Sequence, residues 1–187
     1  YIDACIRDEN SRTKAIATPI IDCLKEKYEV ETILINDLKL QPVLKQQCIQ
    51  RSNGIVDELS LNLARKLASV DKVVIAAPFW DMSFPSALKV FFEQVSLFNV
   101  TFTQTADGWK GLCKADKLLY ITTRGMRLKT GEALEQATPY LKALCWLWGI
   151  DDVLVLASDN MDFDSEEVNK EKIANAISEG LKICEDF

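Results

Sequence analysis

Residues 72–77 read Lys-Val-Val-Ile-Ala-Ala and stop at Pro78, and a helical stripe of Leu88, Phe91, Phe92 and Val95 follows within about ten residues. A continuous apolar run of this length is a strand buried on both faces, and i, i+3, i+4, i+7 spacing is a helix with one buried face. The same alternation recurs along the chain, with strands expected at 1–6, 29–36, 72–77, 117–122 and 152–157. The pattern predicts an α/β fold: a five-stranded parallel sheet of order 2-1-3-4-5, with helices on both faces. No repeat or linker divides residues 1–187, so one domain is expected.

Helix signals accompany the strands. The first helix starts after Ser11 with a stripe of Ile16, Ile20, Leu24 and Tyr28. Thr18-Pro19 inside it leaves two forms open, a kinked helix or a second helix capped by Thr18. A second helix is expected over 54–68, after the Asn53-Gly54 turn. A fourth is expected over 131–148, ended by Gly149, with Thr138-Pro139 raising the same question. The last spans 165–185, capped by Ser165, with Val168, Ile173, Ile177, Leu181 and Cys184 as its stripe. Five helices are expected in all. Between the third helix and the fourth strand, over 100–114, alternation and the Asp107-Gly108 turn point to a short hairpin or an ordered loop beside the site.

Composition removes several function classes. The net charge of -6 lacks the clustered cations that nucleic-acid binding needs. There is no histidine, so Ser-His-Asp and Cys-His hydrolysis are excluded along with most zinc sites. The acids at 151, 152, 159, 162, 164, 166 and 167 lack calcium-loop spacing and read as a solvated face, so no metal is expected. Six cysteines without a C-x-x-C pair read as buried reduced thiols of a cytoplasmic protein. No signal peptide or membrane span is visible. The chain opens at Tyr1 inside an expected strand, so a few residues are expected to precede it.

Three strand ends carry candidate chemistry. The first glycine is Gly54, so the first strand-helix turn holds neither a G-x-G-x-x-G fingerprint nor a P-loop. That turn offers Arg7, Ser11, Arg12 and Thr13: guanidiniums, hydroxyls and the free amides of a helix start, suited to a phosphate monoester. An ordinary cap at Ser11 with solvated arginines is the other reading. The third strand ends in Pro78, Phe79, Trp80, Asp81 and Met82, and the fourth in Thr122, Thr123, Arg124, Gly125 and Met126. Gly125 would let backbone approach a planar ring. In the expected strand order these three ends flank the crevice where a mononucleotide binds.

Those residues carry a resemblance. Ala77-Pro78-Phe79-Trp80-Asp81-Met82-Ser83-Phe84-Pro85 with Leu88-Lys89, Val100-Thr101-Phe102 with Thr105, Gly108, Gly111 and Leu112, Thr122-Thr123-Arg124-Gly125, and Pro139-Tyr140-Leu141 through Gly149-Ile150-Asp152-Val153 occur in that order. The chain resembles the FMN-dependent NADH-azoreductases, within the flavodoxin-fold NAD(P)H quinone reductases, over nearly its full length. The resemblance implies a flavodoxin-like three-layer sandwich and a homodimer with FMN at the subunit interface. NADH or NADPH would be the co-substrate and a quinone or azo compound the acceptor. Ser11, Arg12 and Thr13 would hold the FMN phosphate, with Arg7 nearby. Phe79 to Met82 would contact the isoalloxazine after Pro78, and Thr123 to Met126 would line its other polar side. Phe102 and Trp109 would cover the partner's substrate pocket. No catalytic side chain is implied, because the flavin does the chemistry.

The chain departs from that family at three places. The family usually has Asn at Asp81, a second Gly at Met126 and a smaller residue at Trp109. A flavodoxin-like electron carrier, an NADPH-dependent FMN reductase and a receiver domain remain as alternatives; the last requires adjacent acids at the first strand end, where Asp3 comes too early.

Overall fold

The computed structural model describes residues 1–187. Its main sheet consists of β1 (Ile2–Asp3), β2 (Ile33–Leu34), β3 (Lys72–Ala76), β6 (Lys117–Thr123) and β7 (Asp152–Ser158). They are all parallel, in the order β2-β1-β3-β6-β7, which is the expected 2-1-3-4-5. Successive residues of β3 point to opposite faces. Val73 and Ile75 join one core with α3 (Glu58–Ser69), α4 (Ser86–Val95) and α5 (Ala137–Trp148). Val74 and Ala76 join the other with α1 (Arg12–Lys25) and α6 (Glu166–Asp186). The predicted stripe of α4 is fully buried: Leu88, Phe91, Phe92 and Val95 are at most 1% exposed. Each such side chain contributes about 1.5–3 kcal/mol.

The two strands on the β2 side of the sheet are shorter than 1–6 and 29–36. After Ala4 the backbone leaves the ladder because the Asp3 carboxylate accepts the Cys5 amide at 2.9 Å and a 3-10 turn follows at Asp8–Asn10. Beside it, Glu29 and Glu31 are exposed, and only Ile33–Leu34 pairs.

Pro19 breaks nothing. α1 runs uninterrupted through it, so neither a second helix nor a cap at Thr18 forms. An interior proline costs about 3 kcal/mol, and burying Ile16, Ala17, Ile20, Ile21 and Leu24 outweighs it. Tyr28 lies beyond the helix and is exposed. Pro139 stands at the third position of α5, before the intrahelical ladder needs its amide, so the helix begins at Ala137 rather than 131.

Three further expectations change. There are six helices, because α2 (Lys45–Ser52) forms where none was expected, and α3 starts at Glu58 on an Asp57 cap rather than at 54. Helix α2 buries no side chain and is held by polar bonds to the buried Gln94 of α4. From α2, Gln47 donates to Gln94 Oε1 at 3.1 Å and Arg51 also bonds it, while Ser60 of α3 donates to the same oxygen at 2.8 Å. The α6 stripe is shifted: Asn169, Ala176, Gly180 and Cys184 are buried, whereas Val168 and Leu181 are exposed. Small side chains face α1 because the two helices lie close.

The hairpin expected between 100 and 114 is β4 (Phe102–Thr105) and β5 (Gly108–Gly111), antiparallel. Its base packs backbone against backbone on the C-cap of α5. A Cβ on Gly111 would overlap the Gly149 amide, and Gly149 itself turns the chain with φ 82°.

Candidate functional site

The carboxyl ends of β1, β3 and β6 open into one crevice. It is lined by Arg7, Ser11, Arg12 and Thr13 from the first turn, Pro78, Phe79 and Trp80 from the second, and Thr123, Arg124 and Gly125 from the third. Ile6, Asn10 and Asp162 complete it. Ten of the thirteen predicted contact residues at these ends are thus brought together.

The first turn leaves donors at the helix start free. The Ser11 hydroxyl accepts the Lys14 amide at 3.2 Å, which caps α1 and leaves the first two helical amides, of Arg12 and Thr13, without intrahelical acceptors. Arg7 is exposed and enters no ion pair. Lys14 directs its charge elsewhere, bonding Asp8 at 2.8 Å and lying 3.7 Å from the buried Asp3. The Asp8 bond holds the Lys14 ammonium above its ordinary value. Burial, with Asp3 second, pushes the Cys5 thiol up to about 12, so the floor of the turn is uncharged there. Thr13 is fully buried, and its hydroxyl meets that of Thr123 at 2.7 Å, joining α1 to the end of β6.

The second turn continues the sheet beyond β3. The Phe79 amide donates to the Thr123 carbonyl at 3.0 Å. Trp80 and Ser83 then exchange backbone bonds of 3.1 and 2.8 Å around Asp81 and Met82, whose φ values are 47° and 65°. Two successive positive φ values define a type I′ turn. Asp81 and Met82 are therefore exposed at its apex, outside the crevice lining, with the Asp81 carboxylate in solvent. The position demands a left-handed backbone, which Asn and Asp both tolerate.

The third turn departs from expectation in two respects. The space above Gly125 is filled by the carboxylate of Asp162, which a Cβ there would overlap, so this glycine admits a side chain rather than a ring. Asp162 accepts from Arg12 Nη1 at 2.7 Å. The acidic run is thus not merely a solvated face: Asp159 accepts the Leu128 amide at 3.1 Å, and Asp164 pairs Lys172 at 2.5 Å. The second correction is Arg124, whose side chain turns away from the crevice and is 1% exposed. Met126 is exposed and outside the lining.

Phe102 and Trp109 also lie outside this crevice, forming an aromatic ladder with Phe98 along the hairpin at centroid spacings of 5.8 and 6.0 Å. All six cysteines are free, but Cys48 is exposed and Cys23 and Cys113 are half-buried, so burial of all six does not hold.

A doubly wound parallel sheet of order 2-1-3-4-5 with a crevice at its carboxyl ends defines a fold class, and comparison with known proteins agrees. A family model described as "Flavodoxin-like fold" matches residues 1–182, and the chain belongs to that family. Within it, the chain is 31% identical over 195 aligned positions to FMN-dependent NADH:quinone oxidoreductase 2 of Clostridium perfringens, covering 100% of this chain and 98% of the relative. It is 30% identical to the FMN-dependent NADH:quinone oxidoreductase of Lachnoclostridium phytofermentans, over 90% of this chain and 88% of the relative. Among solved structures, azoreductase AzrA superposes with a TM-score of 0.88 at 19% identity, covering 100% and 98% of the two chains. An FMN-dependent NADH-azoreductase from Bacillus anthracis in complex with FMN gives 0.84 at 21% identity, over 99% and 96%.

The crevice fits FMN on its own evidence. It offers the two unbonded amides at the start of α1 beside Arg7 for a phosphate, and the indole of Trp80, 41% exposed, for a planar ring.

Proposed function

We propose that residues 1–187 are one FMN-binding domain of an oxidoreductase that passes electrons from NADH or NADPH to a quinone or azo compound. The observation that carries this reading is the Thr13–Thr123 hydroxyl bond, because it locks an anion cradle and a ring-facing edge into one crevice. The names of the relatives support the substrate classes.

In this reading Arg7, Ser11, Arg12 and Thr13 hold the phosphate through amides, hydroxyls and guanidinium charge. Pro78, Phe79 and Trp80 form the apolar wall, bordered by the turn at Asp81 and Met82. Thr123, Arg124, Gly125 and Met126 border the polar edge of the ring; their carbonyls are bonded within the fold, so the Gly125 and Met126 amides are the donors left for it. When bound, FMN would supply the redox chemistry between the nicotinamide and the acceptor, for which a ping-pong order is expected. The chain's part is to bind, orient and leave one apolar surface for a planar acceptor, so no histidine is needed.

A homodimer gives the hairpin its place. Phe102 and Trp109 stand outside their own crevice, and across a two-fold axis they would cover the partner's. Six free thiols support the reducing cytoplasm as its location. No helix is long and apolar enough to cross a membrane.

The test is direct. Purified protein is expected to be yellow, to release FMN on denaturation, and to oxidise NADH with menadione or methyl red as acceptor. Colourless protein that ignores added FMN overturns the reading. Initial-rate lines that intersect rather than run parallel overturn the ping-pong order alone, and a monomer by sedimentation overturns the shared site.

A further inference from the structure

Behind the wall of the crevice lies a buried ion pair. Arg124 and Glu135 are each 1% exposed. Arg124 Nη1 donates to the Leu128 carbonyl and Nη2 to the Thr130 hydroxyl, both at 2.9 Å. Glu135 Oε1 accepts the Thr138 amide at 2.9 Å in the first turn of α5, and Oε2 stands 3.8 Å from Arg124 Nη2. Two atoms of the pair, Arg124 Nε and Glu135 Oε2, have no hydrogen-bond partner.

Such an arrangement is a poor way to stabilise a fold. Removing two charges from water costs several kcal/mol per ion, and well-packed apolar side chains in their place are often as stable or more so. The geometry is also polarised. The Arg124 guanidinium carbon lies 5.7 Å from the centroid of Phe79, whose other surroundings include the crevice, whereas Glu135 is turned toward the helix start that favours its charge. The positive end of the pair therefore faces the site through a buried aromatic ring.

We propose that the Arg124–Glu135 pair is a potential-setting element: a fixed cation behind Phe79, incompletely countered by Glu135, that favours the more negatively charged reduced form of a flavin in the crevice. The inference rests on the FMN reading above and adds to it two side chains that do not touch the ring. The buried aromatic ring of Phe79 is a low-dielectric path by which the field of the guanidinium reaches the site.

The test is the midpoint potential of FMN bound to the holoprotein, measured by reductive titration against a reference dye, together with the Kd for oxidised FMN. Glu135→Gln keeps an acceptor for Thr138 but removes the counter-charge; its potential is expected to rise, equivalent to about threefold or more in the preference for reduced over oxidised FMN. The double change Arg124→Met/Glu135→Met leaves no buried charge and is expected to shift the potential the opposite way. A purely structural pair would alter melting temperature without this opposition of sign. If Glu135→Gln does not fold, the double change alone decides by lowering the potential or leaving it unmoved. Folded, FMN-loaded variants with the wild-type potential overturn the inference and leave FMN binding intact. Failure of the wild type to bind FMN overturns the reading beneath it.

Discussion

The hydroxyls of Thr13 and Thr123 lie 2.7 Å apart, although 110 residues separate them in the chain. Thr13 opens the buried face of α1, and Thr123 closes β6, two strands away from β1. The bond spans the end of β3 and fixes the distance between the anion cradle and the Gly125 edge.

Thr13→Val leaves the Thr123 hydroxyl without this partner in a buried setting. It is expected to cost about 1–3 kcal/mol of stability and to weaken FMN binding. A double-mutant cycle with Thr123→Val, read by denaturant unfolding, should show the second substitution costing less after the first. Fully additive costs would mean the two hydroxyls do not depend on one another.

Asp162 occupies Arg12 at 2.7 Å and stands where a phosphate would compete for the same guanidinium. Both side chains are well exposed, so the pair itself is weak. Asp162→Asn is expected to tighten FMN binding by roughly three- to tenfold at low salt, with a steeper salt dependence. Looser binding in a fluorescence titration would show instead that Asp162 orients Arg12 for the ligand.

Met82 holds φ 65° in a two-residue turn that favours glycine at its second central position. Met82→Gly is expected to stabilise the chain by up to about 1 kcal/mol. A rise of a few degrees in melting temperature would confirm that the corner stores strain; a fall would show that the exposed thioether contributes contacts outweighing it.

Burial pushes the Cys113 and Cys145 thiols, like that of Cys5, from the ordinary 9.0 up to about 12. The folded chain therefore holds these protons more tightly than the unfolded one. The associated stability is complete below pH 9 and lost as pH rises toward 12. Denaturation midpoints should fall steadily over that range, less steeply in Cys145→Ala. In the folded protein at pH 8 iodoacetamide should modify the exposed Cys48 first. Equal labelling of Cys145 would contradict its burial.

Much of this molecule was legible in one dimension. The runs of β3 and β6 are apolar on both faces, as the centre of a parallel sheet requires, and the α4 stripe follows from its spacing. Helix α2 has no stripe to read, since its anchor is Gln94, more than forty residues on. The α6 register was misplaced because large apolar residues mark a stripe more visibly than Ala176 and Gly180, which close approach to α1 selects. At the site the three strand ends were found, but not the side-chain directions. Nothing local distinguishes the inward Arg124 from a solvated arginine, and the Arg12–Asp162 contact joins residues 150 apart.

The hairpin meets the body of the protein where Gly111 and Gly149 touch main chain to main chain, while Trp109 near its tip is 53% exposed. Any side chain at Gly111 would lever the whole arm off its seat, and one at Gly149 would be strained at φ 82° and press on Gly111. Changes around Asp107 and Trp109 meet no such resistance. Descent with modification can therefore lengthen, shorten or recolour the far end of the arm while its root stays fixed, without renegotiating the sheet, the helices or the crevice.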